Sequence, residues 1–253
     1  MNGNFQSIKE LLDILDLNEV NYLILRNYEN ILNPDLYVSG HGDIDILCED
    51  SQMIVNLLDA KTSQKDIKPF KGDGTHYYIW VDKKKVFLDL RFIGDDYYCE
   101  KWERDMLVRR VKRDCYYILS PIDYFYSLIY HAILQKKYFS KEYQIRLLEM
   151  ANALNICVGE GKEIDFLDVL EQYMTLHGYR YRYTKDVWIP LRFNLVNKGL
   201  VDINFRLKWK HLFFEFKLKY SIPLTYIKNF VLKIFRYRRF TKIKTISRII
   251  KRS

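Results

Sequence analysis

The stretch from Gly40 to Leu47, with the sequence GHGDIDIL, constrains the fold of this chain more than any other. Asp43 and Asp45 lie two residues apart in an otherwise apolar run, and a β-strand sends alternate side chains to opposite faces. The pattern therefore predicts a strand that carries both carboxylates on one face. Because two like charges at this spacing repel each other, they favour a hard divalent cation such as Mg²⁺ beside them.

A third carboxylate is expected to join this pair. Asp89 lies in the β-type run 85–92, which follows another strand pattern, 76–81, across a short turn. If its strand pairs with the first acidic strand, Asp89 comes alongside Asp43 and Asp45. Three carboxylates so placed could hold one or two ions.

Two arginines and a glycine-rich turn supply candidate substrate contacts. Arg26 ends the predicted first strand, where an arginine is either a solvated strand end or a phosphate clamp. Arg91 is expected on the face of Asp89, where it either binds phosphate or pairs with an acidic neighbour. The turn adds Gly40, His41 and Gly42, because glycines let the backbone approach a phosphate closely.

Two further candidates lie near the end of a helix that begins at Ser120-Pro121, a capping residue followed by proline at the first helical position. His131 and Lys137 either contact the substrate there or merely suit the negative end of the helix dipole. His76 is expected to be a partly exposed strand residue rather than a substrate contact.

The order of these features resembles the nucleotidyltransferase superfamily of the DNA polymerase beta type. The features are a glycine-containing turn, Asp-Ile-Asp-Ile on one strand, and a single Asp in an apolar strand about forty residues further on. The resemblance covers about residues 18–95 and extends through the following helices to about residue 155. It implies that Asp43, Asp45 and Asp89 are catalytic, metal-binding carboxylates that use one or two Mg²⁺ ions.

One departure from the family pattern concerns the donor site. The superfamily carries a Gly-Gly or Gly-Ser pair after the first strand, whereas this chain has Leu25-Arg26-Asn27-Tyr28. Either Arg26 and Asn27 replace the backbone amides as contacts to the donor phosphates, or the nucleotide binds in a different position.

The remaining patterns predict the fold class and the domains. The predicted helices are 5–17, 53–58, 120–136, 141–155 and 163–178, and residues 97–115 are expected to be irregular. We predict an α+β chain with a nucleotidyltransferase-fold mixed β-sheet flanked by helices, followed by a mostly helical C-terminal region. The predicted domains are a catalytic domain, 1–115, a helical substrate-binding region, 116–220, and a basic amphipathic tail, 221–253.

Composition favours a cytoplasmic globular protein. The chain has 253 residues, of which 49% are hydrophobic and 29% are charged, enough to bury a core in one domain with an appendage. Neither a secretory signal nor a run of apolar residues long enough for a membrane span is visible. The four cysteines are widely spaced, which is typical of reduced thiols.

The charge is concentrated in the tail. Residues 221–253 hold ten of the 41 Lys and Arg residues and no acidic residue, which leaves 31 basic and 32 acidic side chains in the rest. Apolar residues recur in the tail at helical spacing, so we expect it to attach peripherally to the anionic inner face of a membrane. A tail that packs on the body and an RNA-binding arm are the alternatives. The near-neutral body argues against a nucleic-acid substrate.

The resemblance implies a Mg²⁺-dependent transferase of phosphorus-containing groups. Uncharacterised bacterial proteins of this type occur among enzymes of surface-polysaccharide biosynthesis, and related enzymes move a phospho-alcohol from a CDP carrier. The expected reaction transfers a nucleotidyl or phospho-alcohol group from a nucleotide or CDP-linked donor to a hydroxyl of a glycan, polyol or lipid-linked acceptor. The alternative is a non-catalytic adaptor that attaches to a membrane or to RNA through its tail.

Overall fold

The computed structural model describes residues 4–33, 43–63 and 76–216. The predicted turn residues Gly40, His41 and Gly42, and the tail 221–253, lie outside the described residues. The chain divides into two compact units, Met1–Asn204 and Phe205–Ser253.

The first unit is built on a mixed eight-stranded sheet. Its strands are β1 (Asn4–Phe5), β2 (Tyr22–Ile24), β3 (Asp43–Cys48), β4 (Lys61–Thr62), β5 (His76–Val81), β6 (Lys84–Phe92), β7 (Val111–Arg113) and β8 (Tyr116–Ile118). They follow the order β1-β5-β6-β3-β2-β8-β7, and β4 pairs with β5. Strand β3 runs parallel to β6 and antiparallel to β2. The predicted α+β class with a mixed sheet is confirmed.

Strands β5 and β6 form the predicted hairpin. Its turn residues Asp82 and Lys83 both have positive φ, 45° and 62°. Two successive residues in this region are typical of the primed turns that match the twist of a two-stranded hairpin. The turn therefore sets the register in which His76 pairs with Asp89.

Helices cover both faces of the sheet. They are α1 (Ile8–Leu17), α2 (Ser51–Leu58), α3 (Glu100–Val108), α4 (Pro121–Ile129), α5 (Lys141–Ala153) and α6 (Glu163–His177). The predicted cap at Ser120 is present, and Ser7 and Ser140 cap their helices in the same way: each of the three accepts a hydrogen bond from a backbone N–H of the first turn. Each cap satisfies a donor that the helix itself leaves without a partner.

The alternation along the central strands divides the core into two clusters. Ile44 and Ile46 of β3 belong to the cluster that includes α1 and α2, whereas Leu47 belongs to the cluster that includes α3, α4 and α6. Because strand side chains alternate, Asp43 and Asp45 share the face of Leu47. The acidic residues therefore lie on the sheet face covered by α3, α4 and α6.

The prediction of an irregular segment over residues 97–115 was wrong, because the segment contains α3 and β7. The high charge of this segment obscured its apolar spacing. Trp102 and Met106 lie one turn apart and are fully buried. On the exposed side, Glu100 pairs with Arg104, and Lys101 pairs with Asp105, at the spacing that supports a helix.

The helix that begins at Pro121 changes geometry before its end. Residues Tyr130–Leu134 form a π-helical turn, and Gln135 follows it. A π-turn is rare and often marks a functional site, because the extra residue redirects side chains on one face.

The boundary predicted at residues 115 and 116 lies inside the first unit. Strand β8 joins the main sheet beside β2, with Ile118 opposite Ile24. A second, two-stranded sheet pairs β9 (Tyr181–Arg182) with β10 (Val201–Asp202).

In the second unit, residues 205–216 form a helix, here called α7. No helix within the described ranges is both long enough and apolar enough to traverse a bilayer.

Candidate functional site

The register of β3 and β6 brings two of the predicted carboxylates together. Asp45 is directly opposite Asp89, and Asp43 is opposite Phe87. Directly opposed residues in a parallel pair point to the same face, so all three acidic residues line one face of the sheet. The strand pairing predicted for Asp89 is therefore present, and it was deduced from alternation and apolar flanks alone.

Arg26 compensates the charge of Asp45. Its Nη2 donates to Asp45 Oδ1 at 2.6 Å, and its Nη1 donates to the Tyr97 hydroxyl at 2.8 Å. The Arg26 side chain is only 10% exposed, so it is not a solvated strand end. Burial opposes its charge, but Asp45 and the neighbouring tyrosines outweigh that effect and raise the pKa of Arg26.

His76 compensates the charge of Asp89. Its Nδ1 lies 2.7 Å from Asp89 Oδ1, and its Nε2 lies 3.3 Å from Asp186 Oδ2. Burial opposes the charge of the ring, but the hydrogen bonds to Asp186 and Asp89 outweigh it and raise the pKa of His76 to about 10. His76 is therefore a cation at neutral pH. The prediction of a partly exposed strand residue is confirmed, since His76 begins β5 with 18% of its side chain exposed, but its two carboxylate partners were not predicted.

Asp186 connects this pair to Arg91. Arg91 Nη2 donates to Asp186 Oδ2 at 3.0 Å and lies 3.9 Å from Asp89 Oδ2. Both side chains are almost completely buried. Burial disfavours the ionised carboxylate, but His76 and Arg91 overcome it and lower the pKa of Asp186 to about 2. Of the two roles expected for Arg91, the structure has the pairing with an acidic neighbour.

Sequence reasoning missed Asp186 altogether. It lies 95 residues after Arg91, in a segment without periodic structure, and it is held in place by the Trp188 backbone N–H at 3.0 Å. No local pattern connects such a residue to a strand so far away along the chain.

His131 stands behind Arg26 rather than at the surface. Its Nδ1 lies 3.4 Å from the Tyr97 hydroxyl and 3.2 Å from Gln135 Oε1, and Gln135 Nε2 donates to the Tyr97 carbonyl at 3.3 Å. Burial and the positive charge of Arg26 lower the pKa of His131 well below its ordinary value, so the ring is neutral. His131 therefore lies in a supporting position behind Tyr97, and a direct contact with substrate stays a prediction.

Two lysines, Lys136 and Lys137, follow the π-turn. Burial and the charge of Arg26 lower the pKa of Lys136, while Asp45 acts in the opposite direction. Lys136 therefore lies within electrostatic reach of the Arg26–Asp45 pair. Lys136 and Lys137, the predicted contact, are both exposed.

Asn27 has a structural explanation of its own. Its backbone is left-handed, with φ of 56°, and it precedes the 3₁₀ turn Tyr28–Asn30. Its side-chain oxygen accepts a hydrogen bond from Arg146 Nη1 at 3.4 Å, and the same arginine pairs with Glu29. Asn27 is exposed next to Arg26, at the edge of the site.

The chemistry of the donor set suits Mg²⁺, which prefers carboxylate oxygens. Each carboxylate has two oxygens, so an ion pair through Oδ1 is compatible with coordination through Oδ2. In the present arrangement, however, the described residues contain no group of three or more His, Cys, Asp or Glu that converges as a metal site. The sequence pattern predicts positive charge beside the carboxylates. Arg26 supplies part of it next to Asp45, and His76 supplies part of it next to Asp89.

A comparison of the chain with protein-family models and with curated protein sequences returns no match.

Proposed function

We propose that this chain is a Mg²⁺-dependent transferase of the nucleotidyltransferase type, which moves a nucleotidyl or phospho-alcohol group from a nucleotide donor to a hydroxyl acceptor. The observation that carries the proposal is the pairing of Asp45 with Asp89 across parallel strands, with Asp43 on the same face. Arg26 supplies positive charge in contact with Asp45, and Lys136 lies within electrostatic range of the same pair. Acidic residues for a cation next to basic residues for phosphate suit phosphoryl-group chemistry.

In this proposal, Asp43, Asp45 and Asp89 hold one or two Mg²⁺ ions. When bound there, such an ion would neutralise charge on the donor phosphates and would lower the pKa of the acceptor hydroxyl. Arg26 and Lys136 bind phosphate oxygens, and the Arg26 guanidinium is oriented for this by Asp45 and Tyr97.

Asp89 is the residue placed to accept the proton of the acceptor hydroxyl. His76 is already protonated at neutral pH because of its two carboxylate partners, so it orients Asp89 and does not act as the base. His131 is neutral but buried behind Tyr97, so it is not placed to exchange a proton with a substrate.

The acceptor class follows from the resemblance and from the distribution of charge. The basic residues are concentrated in the tail, and the rest of the chain is close to neutral. We propose a glycan, polyol or lipid-linked acceptor in bacterial surface-glycan biosynthesis, handled at the cytoplasmic side of the membrane. A nucleic-acid acceptor would be matched better by a basic body.

The test is to incubate the full chain with Mg²⁺ and each of ATP, CTP, GTP, UTP and CDP-alcohols, with glycan and polyol acceptors. Release of pyrophosphate identifies nucleotidyl transfer, and release of CMP identifies phospho-alcohol transfer. Asp43→Asn and Asp45→Asn are expected to lower turnover by at least about a thousandfold, as the loss of a metal ligand does in phosphoryl transfer. Asp168→Asn is the matched control, because Asp168 is an exposed carboxylate on α6.

Stability is measured for the same variants. Asp45→Asn is expected to cost about 1–3 kcal/mol, because it leaves the largely buried Arg26 guanidinium without its carboxylate partner. Turnover is therefore compared at a temperature at which circular dichroism shows both variants to be folded. Near wild-type turnover in both would refute the proposed site.

A second candidate function is the non-catalytic adaptor. It is favoured by the existing ion pairs, Asp45 with Arg26 and Asp89 with His76, which stabilise the carboxylates without a metal. Calorimetric titration with Mg²⁺ separates the two functions. No heat of binding, together with no turnover of any donor, would establish the adaptor.

A further inference from the structure

The helix α7, residues 205–216, presents an exposed apolar face. The residues of this face are between 45% and 68% exposed: Phe205, Trp209, Leu212, Phe213 and Phe216. Single exposed apolar residues are ordinary on a protein surface, but a continuous row of five, four of them aromatic, is not. The helix also buries Leu207, His211 and Phe214. We call the exposed set the aromatic face.

Helical geometry makes the aromatic face continuous. At 3.6 residues per turn, its five residues fall within about 100° of the helix circumference. The three buried residues fall on the opposite side. The helix therefore has one buried side and, opposite it, an apolar side that is largely exposed, which distinguishes it from an ordinary amphipathic helix with a single apolar stripe.

The charges around the aromatic face point to an anionic partner. Arg206, Lys208 and Lys210 border it on both sides, and Glu215 is the single acidic residue of α7. Residues 217–253, which follow directly, contain twelve Lys and Arg and no Asp or Glu.

The side chains of the face point to a lipid surface. Leucine and phenylalanine offer no hydrogen-bonding group, and the Trp209 indole N–H is the single polar group on this face. A partner with directional polar groups would gain little here, whereas aromatic residues flanked by cations suit the boundary between lipid headgroups and acyl chains.

We propose that the aromatic face of α7 inserts into the headgroup–acyl boundary of an anionic bilayer. The basic tail then adds long-range attraction to the surface, and α7 supplies the inserted apolar area. This proposal is independent of the transferase proposal, because it concerns binding and not turnover.

The first experiment follows Trp209 itself. The full chain is titrated with vesicles of phosphatidylcholine alone and with vesicles that also contain phosphatidylglycerol. Anionic vesicles are expected to shift the fluorescence emission to shorter wavelength, and brominated lipids are expected to quench it. Trp209→Phe should retain binding, because phenylalanine keeps the face apolar. It should also abolish most of the quenching, because the tryptophans that remain, Trp80, Trp102 and Trp188, lie outside the aromatic face. Emission unchanged by anionic vesicles would overturn the proposal.

The second experiment removes the apolar area and keeps every charge. Trp209→Ser/Phe213→Ser is expected to weaken binding to anionic vesicles at least about tenfold, from the apolar area lost. Val108→Ser/Leu176→Ser is the matched control, because both residues are apolar and 82% exposed in the first unit. Circular dichroism checks that each variant is folded.

Two results of this comparison of double variants would overturn the proposal. One is equal binding by both double variants, which would show that the tail charges act alone. The other is a concentration-dependent dimer, seen by sedimentation equilibrium, that Trp209→Ser/Phe213→Ser abolishes while vesicle binding stays unchanged. That result would assign the face to a second copy of the chain.

Discussion

Replacing Asp186 with Asn should destabilise the protein in a pH-dependent way. The carboxylate binds both Arg91 and His76, and the Asp186 and Arg91 side chains are each only 3% exposed. A pKa lowered from 3.8 to about 2 corresponds to about 2.5 kcal/mol of net interaction with the ionised carboxylate. In other proteins, removing one partner of a buried ion pair lowers the free energy of unfolding by about 3–5 kcal/mol. Because Asp89 still lies 3.9 Å from Arg91, we expect about 2–3 kcal/mol.

The choice of Asn isolates the charge. Asn keeps the shape of the side chain and the oxygen that accepts the Trp188 backbone N–H. Urea unfolding followed by circular dichroism gives the free energy of unfolding of each variant. Asp168→Asn, which removes an exposed carboxylate, should change it by less than about 0.5 kcal/mol.

The sign of the pH dependence follows from the lowered pKa. A carboxyl group with a folded-state pKa below its unfolded value stabilises the protein above the unfolded pKa, and this stabilisation is lost as the pH falls through the folded value. The difference between wild type and Asp186→Asn should therefore be full above about pH 5, fall to about half near pH 3, and almost vanish at pH 2.

A double-mutant cycle with Arg91→Met tests the cause. If the cost of Asp186→Asn comes from an unpaired buried guanidinium, the double variant should be more stable than the sum of the single effects by about 1–3 kcal/mol. A difference between wild type and Asp186→Asn that is below about 0.5 kcal/mol at pH 7, or that stays constant from pH 6 to pH 3, would refute this reasoning.

Two further predictions use matched pairs of variants. Lys136→Ala should raise the KM for the phosphate-containing donor by about three- to tenfold, because Lys136 interacts electrostatically with Arg26 and Asp45. Lys137→Ala should leave the KM unchanged. Equal effects of the two variants in steady-state kinetics would contradict this assignment. Gly178→Ala should cost about 1 kcal/mol in urea unfolding, because Gly178 has φ of 70° at the end of α6 but open space around it. Gly161→Ala should cost about 1–3 kcal/mol more than Gly178→Ala, because φ is 73° and a Cβ there would lie 2.7 Å from Leu148 Cδ2. Equal costs of the two variants would show that the Leu148 side chain moves aside freely.

The features that depend on near neighbours in the chain were predictable from the sequence. Alternation placed Asp43 and Asp45 on one face, apolar flanks placed Asp89 on a neighbouring strand, and the capping residue Ser120 marked a helix start. These features were predictable because strand period and capping act over two to four residues.

The tertiary structure alone decided how the carboxylates are compensated. The repulsion within the acidic strand called for positive charge, and the sequence left open whether a metal or a side chain supplies it. The fold brings Arg26 to Asp45 and His76 to Asp89, and it brings Asp186 to His76 and Arg91 from a distant, irregular segment. The buried position of His131 was likewise set by packing in the core. Ion pairs of this kind form between residues far apart in sequence, and their strength depends on burial, which no local periodicity records.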